Sequence, residues 1–229
     1  MLLLNWKIYK VARNKLLKFA DNNQTVKVIQ AGKPIYNTIK GNWRKLQFKN
    51  NNPIILEIAC GRGEYTIGFA RLFADRNFVG IDLKGSRLWA GAKIADKENL
   101  RNAAFLRTQM HMLEDFFEEN EVDEIWIIHP DPRPKKSDTR RRLTSPRYME
   151  IYKRIIKQGG WIHLKTDSTS LYEYSLEVLM DRLDIHGLLH TDNLDQSTYL
   201  SDHHGIKTRY ELMFRVEGEN IKYLKFQFQ

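Results

Sequence analysis

Three acids in this chain stand where a small-molecule cofactor and a polyanionic substrate could meet: Glu57, Asp82 and Asp131. Glu57 closes an apolar run, Ile54–Ile58, and is followed by Ala59-Cys60-Gly61-Arg62-Gly63. Gly61 and Gly63 allow a tight turn and a close approach of backbone to ligand, with the next helix presenting its N-terminus. Asp82 ends a second apolar run 25 residues later, where an acid can accept both hydroxyls of a ribose. Asp131 sits in His129-Pro130-Asp131-Pro132-Arg133-Pro134, a turn stiffened by three prolines. Five cations follow within eight positions: Lys135, Lys136, Arg140, Arg141 and Arg142. By itself a glycine turn is a plain connection and a charge run is a solvated face. An acid before the turn, a second one after it, and cations behind a rigid acidic turn favour a cofactor mouth with a phosphate grip, since Arg offers forked donors to phosphate and to guanine edges.

Elements that could hold these groups alternate along the chain. Strands are expected at Ile54–Ile58, Phe78–Leu83, Ala104–Leu106, Glu124–Ile128 and Trp161–Lys165. Helices are expected at Tyr65–Phe73, Ser86–Glu98, Ser145–Lys157 and Leu171–Arg182. That alternation predicts an α/β protein with a doubly wound, mostly parallel sheet. Thr208–Val216 and Ile221–Phe228 read as two final strands joined through Gly218-Glu219-Asn220, an antiparallel hairpin at the sheet edge. The trace shows neither an internal repeat nor a low-complexity linker.

Composition narrows the classes. With 42% hydrophobic and 28% charged residues, the chain has the make-up of a soluble globular protein. The single cysteine, Cys60, excludes an internal disulfide, and no Cys/His spacing suggests a metal site. Leu2–Leu4 is too short for a signal core and no run approaches a membrane span, so a cytoplasmic setting is expected. The net charge of +9 is localised: residues 1–50 hold eleven Lys/Arg and one acid, Asp21, whereas the other 179 residues hold 26 Lys/Arg and 27 acids. A basic arm over residues 1–50, ahead of a catalytic domain over residues 51–229, suits a polyphosphate partner through counterion release. A solvated leader is the alternative for its first twenty residues.

The loop decides between two cofactor families. Dinucleotide binders want G-x-G-x-x-G, but here Glu64 takes the last glycine's place, where it would repel a pyrophosphate. Glu57 instead resembles the methyltransferase acid that meets the cofactor's cationic amino-acid end. More widely, LEIACGRGEYT, GIDLKGSR, PDPRPKKSDTRRRLT, HLKTDS and TRYE, in that order over roughly residues 53 to 215, resemble the bacterial tRNA (guanine-N7)-methyltransferase family. The resemblance implies a seven-stranded Rossmann-like sheet, S-adenosyl-L-methionine as cofactor, and tRNA as substrate, with 7-methylguanosine formed at position 46 of the variable loop. It implies cofactor roles for Glu57, Gly61, Gly63, Asp82, Gln109 and Asp131, with Asp131 also the catalytic acid. Lys135, Asp167 and Thr208, Arg209, Tyr210 and Glu211 would contact the target nucleotide. Ser137, Asp138, Thr139, Arg140, Arg141 and Arg142 would touch RNA. No metal, membrane or obligate protein partner is implied, and a monomer or homodimer fits equally.

The chain departs from the family's usual residues at Ala59 (glycine), Gln109 (an acid), His129 (an aromatic) and Arg133 (tryptophan). Ala59 permits the turn if its φ is negative, and Arg133 offers a guanidinium face for stacking. Asp167 could alternatively cap a helix with Ser168 and Thr169 beside it, and Trp43 could pack in the core or stack on RNA. The seven histidines are expected to be structural or at the surface. Two rival functions stay open: a methyltransferase for another nucleic-acid or small-molecule acceptor, and an RNA-binding protein with this fold but little turnover.

Overall fold

A computed structural model describes residues 15–216 and 218–229. Its centre is β2 (Ile54–Ile58), whose residues are all buried because both faces of the strand are covered. Ile54, Leu56 and Ile58 join one core layer and Ile55 the other, as the two-residue period of a strand requires. Around it lie β1 (Val28–Ile29), β3 (Asn77–Asp82), β4 (Ala103–Arg107), β5 (Val122–Ile128), β6 (Ile156–Thr166), β7 (Ile185–Thr191) and β8 (Lys222–Phe228). The sheet order is β1-β4-β3-β2-β5-β6-β8-β7. The first six strands run parallel, β8 is antiparallel to β6, and β7 is antiparallel to β8.

The helices are α1 (residues 15–24), α2 (Glu64–Leu72), α3 (Gly85–Lys97), α4 (Pro146–Ile155), α5 (Thr169–Met180) and α6 (Arg209–Val216). α2 and α3 contribute to one core layer with Tyr65, Phe69, Leu88 and Phe105. α4 and α5 contribute to the other with Met149, Tyr152, Tyr172 and Trp43. Strand order reverses at β2, between β3 and β5. A crevice therefore opens outside the C-terminal ends of these strands.

Three expectations change. Among the described residues the sheet has eight strands rather than seven, the extra one being β1, paired to β4 through Val28 and Ile29. Thr208–Val216 is not a strand. It is capped by the Thr208 hydroxyl, which accepts the Glu211 N–H, and an Arg215–Glu211 pair four residues apart closes its turns, so it folds as α6. The antiparallel edge exists, but its second member is β7, whose mostly exposed residues and left-handed Gly187 (φ 61°) hide any alternation. Finally, the stretch assigned to a basic arm is partly core. Ile39 and Trp43 are fully buried, and the Trp43 indole donates to the Phe116 carbonyl and stacks on Phe117 at 5.1 Å. Trp43 is thus a packing residue, and the division at residue 50 falls beside packed structure. Residues 1–14, with Lys7, Lys10 and Arg13, lie outside the described residues.

Candidate active site

The turn after β2 holds three left-handed residues, Ala59 (φ 55°), Gly61 (φ 58°) and Gly63 (φ 72°). The condition of a negative φ at Ala59 is not met. An L-residue there carries a conformational cost that glycine would not. The two glycines serve different ends. A side chain at Gly61 would meet nothing within 4 Å, leaving its backbone open to a ligand, whereas one at Gly63 would strike the Phe105 ring. Gly63 therefore seats α2 closely against the sheet. Asp82 braces the turn: its carboxylate accepts the Gly61 N–H (3.1 Å) and the Lys84 N–H (2.7 Å).

Glu57 is 5% exposed, and Oε2 accepts both the Thr66 N–H (2.7 Å) and the Thr66 hydroxyl (2.5 Å). Burial pushes its carboxyl up to about 7 despite those hydrogen bonds. Burial, with Glu57 and Asp82 nearby, also raises the Cys60 thiol well above its ordinary value, so Cys60 stays a neutral space-filling group.

Two cavities meet over the turn. One, of about 260 Å³, is lined by Glu57, Gly61, Asp82, His129, Asp131 and Thr208–Tyr210. The other, of about 390 Å³, shares Ala59, Asp82 and Asp131 and adds Gln109, Met110, Arg133, Arg141, Arg147 and Tyr148. Together they run from the buried acid, past the ribose-type acid, to the exposed amide of Gln109. A third cavity of about 170 Å³ lies elsewhere on the sheet among Phe69, Phe73, Trp126 and Trp161. Its acids are already satisfied within the fold, Glu124 by His163 and the Trp126 indole and Asp202 by Lys225.

Asp131 projects from its turn with 65% of its side chain exposed, and Arg133 Nε lies 3.1 Å from Oδ2. His129 (φ 44°) and Arg133 (φ 48°) flank the Pro-Asp-Pro segment in left-handed conformations, strain of a kind that gathers at functional turns. Arg133 thus pairs with the site acid. Downstream, residues 136–141 form a short 3-10 turn that leaves Lys135, Lys136, Ser137, Arg140 and Arg141 exposed. Asp138 pairs with Arg141 at 3.1 Å and the Thr139 hydroxyl donates to the Lys136 carbonyl. Arg142 differs from its neighbours. It is 9% exposed, donates to the Arg133 carbonyl, and lies over the Tyr174 ring at 4.4 Å, so it braces the loop rather than facing solvent.

The remaining residues divide in the same way. Thr208, Arg209 and Tyr210 line the first cavity, and the Arg209 N–H donates to Glu64. Glu211 is fully buried and takes the Lys165 ammonium at 2.7 Å and Arg215 at 2.9 Å, which removes it from direct contact with a ligand in this conformation. Lys165, 1% exposed, also donates to Tyr65 and has its pKa lowered by burial against the pull of Glu211. Asp167 is not the helix cap, because Ser168 accepts the Leu171 N–H in that role. Its Oδ1 lies 2.9 Å from His129 Nδ1. His203 is held neutral by burial, down to about 2, beside Tyr65. Among the described residues no cluster of His, Cys, Asp or Glu could hold a metal ion, and no helix is long and apolar enough to cross a membrane. Sequence reasoning missed Arg147 and Tyr148, whose only signal was that they follow the cationic run, and Lys165, hidden inside a strand.

A doubly wound sheet with an acid, a glycine turn and a ribose-type acid at its switch point defines a class I methyltransferase-type fold. Solved structures agree on that fold. A Streptococcus thermophilus rRNA methylase superposes with TM-score 0.53 at 11% identity, covering 87% of this chain and 98% of that one. The [4+2]-cyclase SpnF gives 0.54 at 15% identity, covering 83% and 80%. A family model described as "Putative methyltransferase" matches residues 51–224. A Cytophaga hutchinsonii protein named tRNA (guanine-N(7)-)-methyltransferase is 45% identical over 95% of this chain and 99% of its own length, and a Bacteroides fragilis protein of that name is 41% identical over 94% and 86%. The chain belongs to the tRNA (guanine-N7)-methyltransferase family.

Proposed function

We propose that this chain transfers a methyl group from S-adenosyl-L-methionine to N7 of guanosine at position 46 in the variable loop of tRNA. The observation that carries the reading is Glu57, a buried acid with no cation paired to it among the described residues, facing a cavity that continues past Asp82 to an exposed basic loop. The donor set fits the cofactor. Glu57 would take its ammonium, Asp82 its ribose hydroxyls, and Gln109 its adenine edge as both donor and acceptor. When bound, the cofactor supplies an electrophilic sulfonium methyl, and guanine N7 already exposes a lone pair, so no base has to remove a proton first.

The protein's share is positioning and electrostatics. Asp131 at the junction of the two cavities, and Asp167 behind His129, would stabilise the cation that develops on the guanine and accept its N1–H and amine. Lys135, Arg140 and Arg141 would hold phosphates, and the basic residues of the N-terminal arm would extend that footprint in a cytoplasmic enzyme. Incubation with labelled S-adenosylmethionine and bulk bacterial tRNA, followed by mapping of 7-methylguanosine, tests this reading. Absence of label from tRNA would refute it. For the arm, deletion of residues 1–20 is expected to weaken tRNA affinity at low salt, and unchanged affinity would show that it makes no contact.

A further inference from the structure

We propose that His129 is a positioning residue that sets the Asp167 carboxylate for the target guanine, an inference that rests on the guanine-methylation reading above. The imidazole stands at the end of β5 in a left-handed conformation, and its backbone N–H donates to the Lys165 carbonyl at 2.8 Å, tying the Asp131 turn to β6. The ring is 3% exposed, lines the first cavity, and lies between two carboxylates: Nδ1 is 2.9 Å from Asp167 Oδ1, and Nε2 is 4.0 Å from Glu211 Oε2.

The two acids are not equivalent. Glu211 is committed to Lys165 and Arg215 inside the fold, whereas Asp167 keeps 23% of its side chain exposed. Burial would raise the Asp167 carboxyl, but the His129 hydrogen bond, then a backbone N–H and the charges of His129 and Lys222, outweigh it and lower its pKa. With one oxygen fixed by imidazole, the carboxylate has a single orientation in which to accept a guanine N–H. Releasing it restores rotational freedom and costs alignment.

The test measures His129→Phe, His129→Asn, Asp167→Ala and the His129→Phe/Asp167→Ala double variant on tRNA. His129→Phe should lower kcat/KM about tenfold, mainly through kcat, with S-adenosylmethionine affinity unchanged; a charge-assisted hydrogen bond is of that order. His129→Asn should recover most of the loss, because the amide N–H reaches the place of Nδ1 and asparagine tolerates the left-handed backbone. The double variant should be no worse than Asp167→Ala. Wild-type kcat/KM in His129→Phe, losses that multiply in the double variant, or no recovery with Asn would each overturn the proposal. A second readout needs no turnover: nitrogen-15 spectra of the His129 imidazole should show a hydrogen-bonded Nδ1 that changes in Asp167→Ala. A spectrum indifferent to that change refutes the positioning contact, whereas absence of label in tRNA refutes only the guanine reading.

Discussion

Glu57 and Glu211 are both buried acids beside the same cleft, yet their surroundings give them opposite meanings. Glu57 has hydrogen bonds from Thr66 but, among the described residues, no paired cation, and burial lifts its carboxyl to about 7. Glu211 has Lys165 and Arg215 and completes a network that fastens α6 to β6. A buried charge costs several kcal/mol unless it is paired, so a fold supplies the partner or leaves it to a ligand. Glu211 shows the first solution and Glu57 the second. Arg142 and Arg140 repeat the contrast among cations: Arg142 lies over Tyr174 and is hydrogen-bonded to the chain, while Arg140 is exposed.

The contrast is sharpest in stability. Glu211→Gln should cost roughly 3 kcal/mol in urea unfolding, because Lys165 is left buried with only half its network; unchanged stability would mean that the pair is not what holds α6. Glu57→Gln should leave the unliganded protein at least as stable, while weakening S-adenosylmethionine binding by about 100-fold in calorimetry, or roughly 2.7 kcal/mol.

The same acid predicts a pH dependence. Its folded pKa, about 7, lies above the ordinary carboxylate value of 4.5, so the folded protein holds the extra proton between those values. Stability of the unliganded protein from this group should therefore fall as pH rises from about 4.5 to about 7 and then level. Affinity for the cationic cofactor should rise over the approach to pH 7, and the Glu57→Gln variant should lose that slope.

Arg140→Ala with Arg141→Ala should lower tRNA affinity and flatten its salt dependence by about two counterions, whereas Arg142→Ala should lower the melting temperature. Equal effects from both would erase the distinction. The smallest change expected is Ala59→Gly, which removes a left-handed alanine and should stabilise by about 0.5–1 kcal/mol, or some 1–4 °C in melting temperature.

Much of this site was legible in the chain because its groups are close in sequence. Glu57, the glycine turn and Asp82 belong to one strand-turn-helix-strand unit, and Asp131 with its cations is a single loop, so local patterns located them. What was misread depends on distant partners. Thr208–Val216 looked like a strand until Glu211 met Lys165, 46 residues away in sequence, and a side-chain cap made it a helix. Trp43, beside Arg44 and Lys45, was not misread but left open between core packing and stacking on RNA, and its contact with Phe117 decides for the core.

By itself, then, the sequence determined the alternating α/β order, the cofactor turn, the acid-then-cation loop and the family. Only the tertiary structure decided which charges are neutralised inside the fold and which face the cleft. The reason is that a charge's role depends on its solvent and its partner, and both are set by groups brought together from distant parts of the chain.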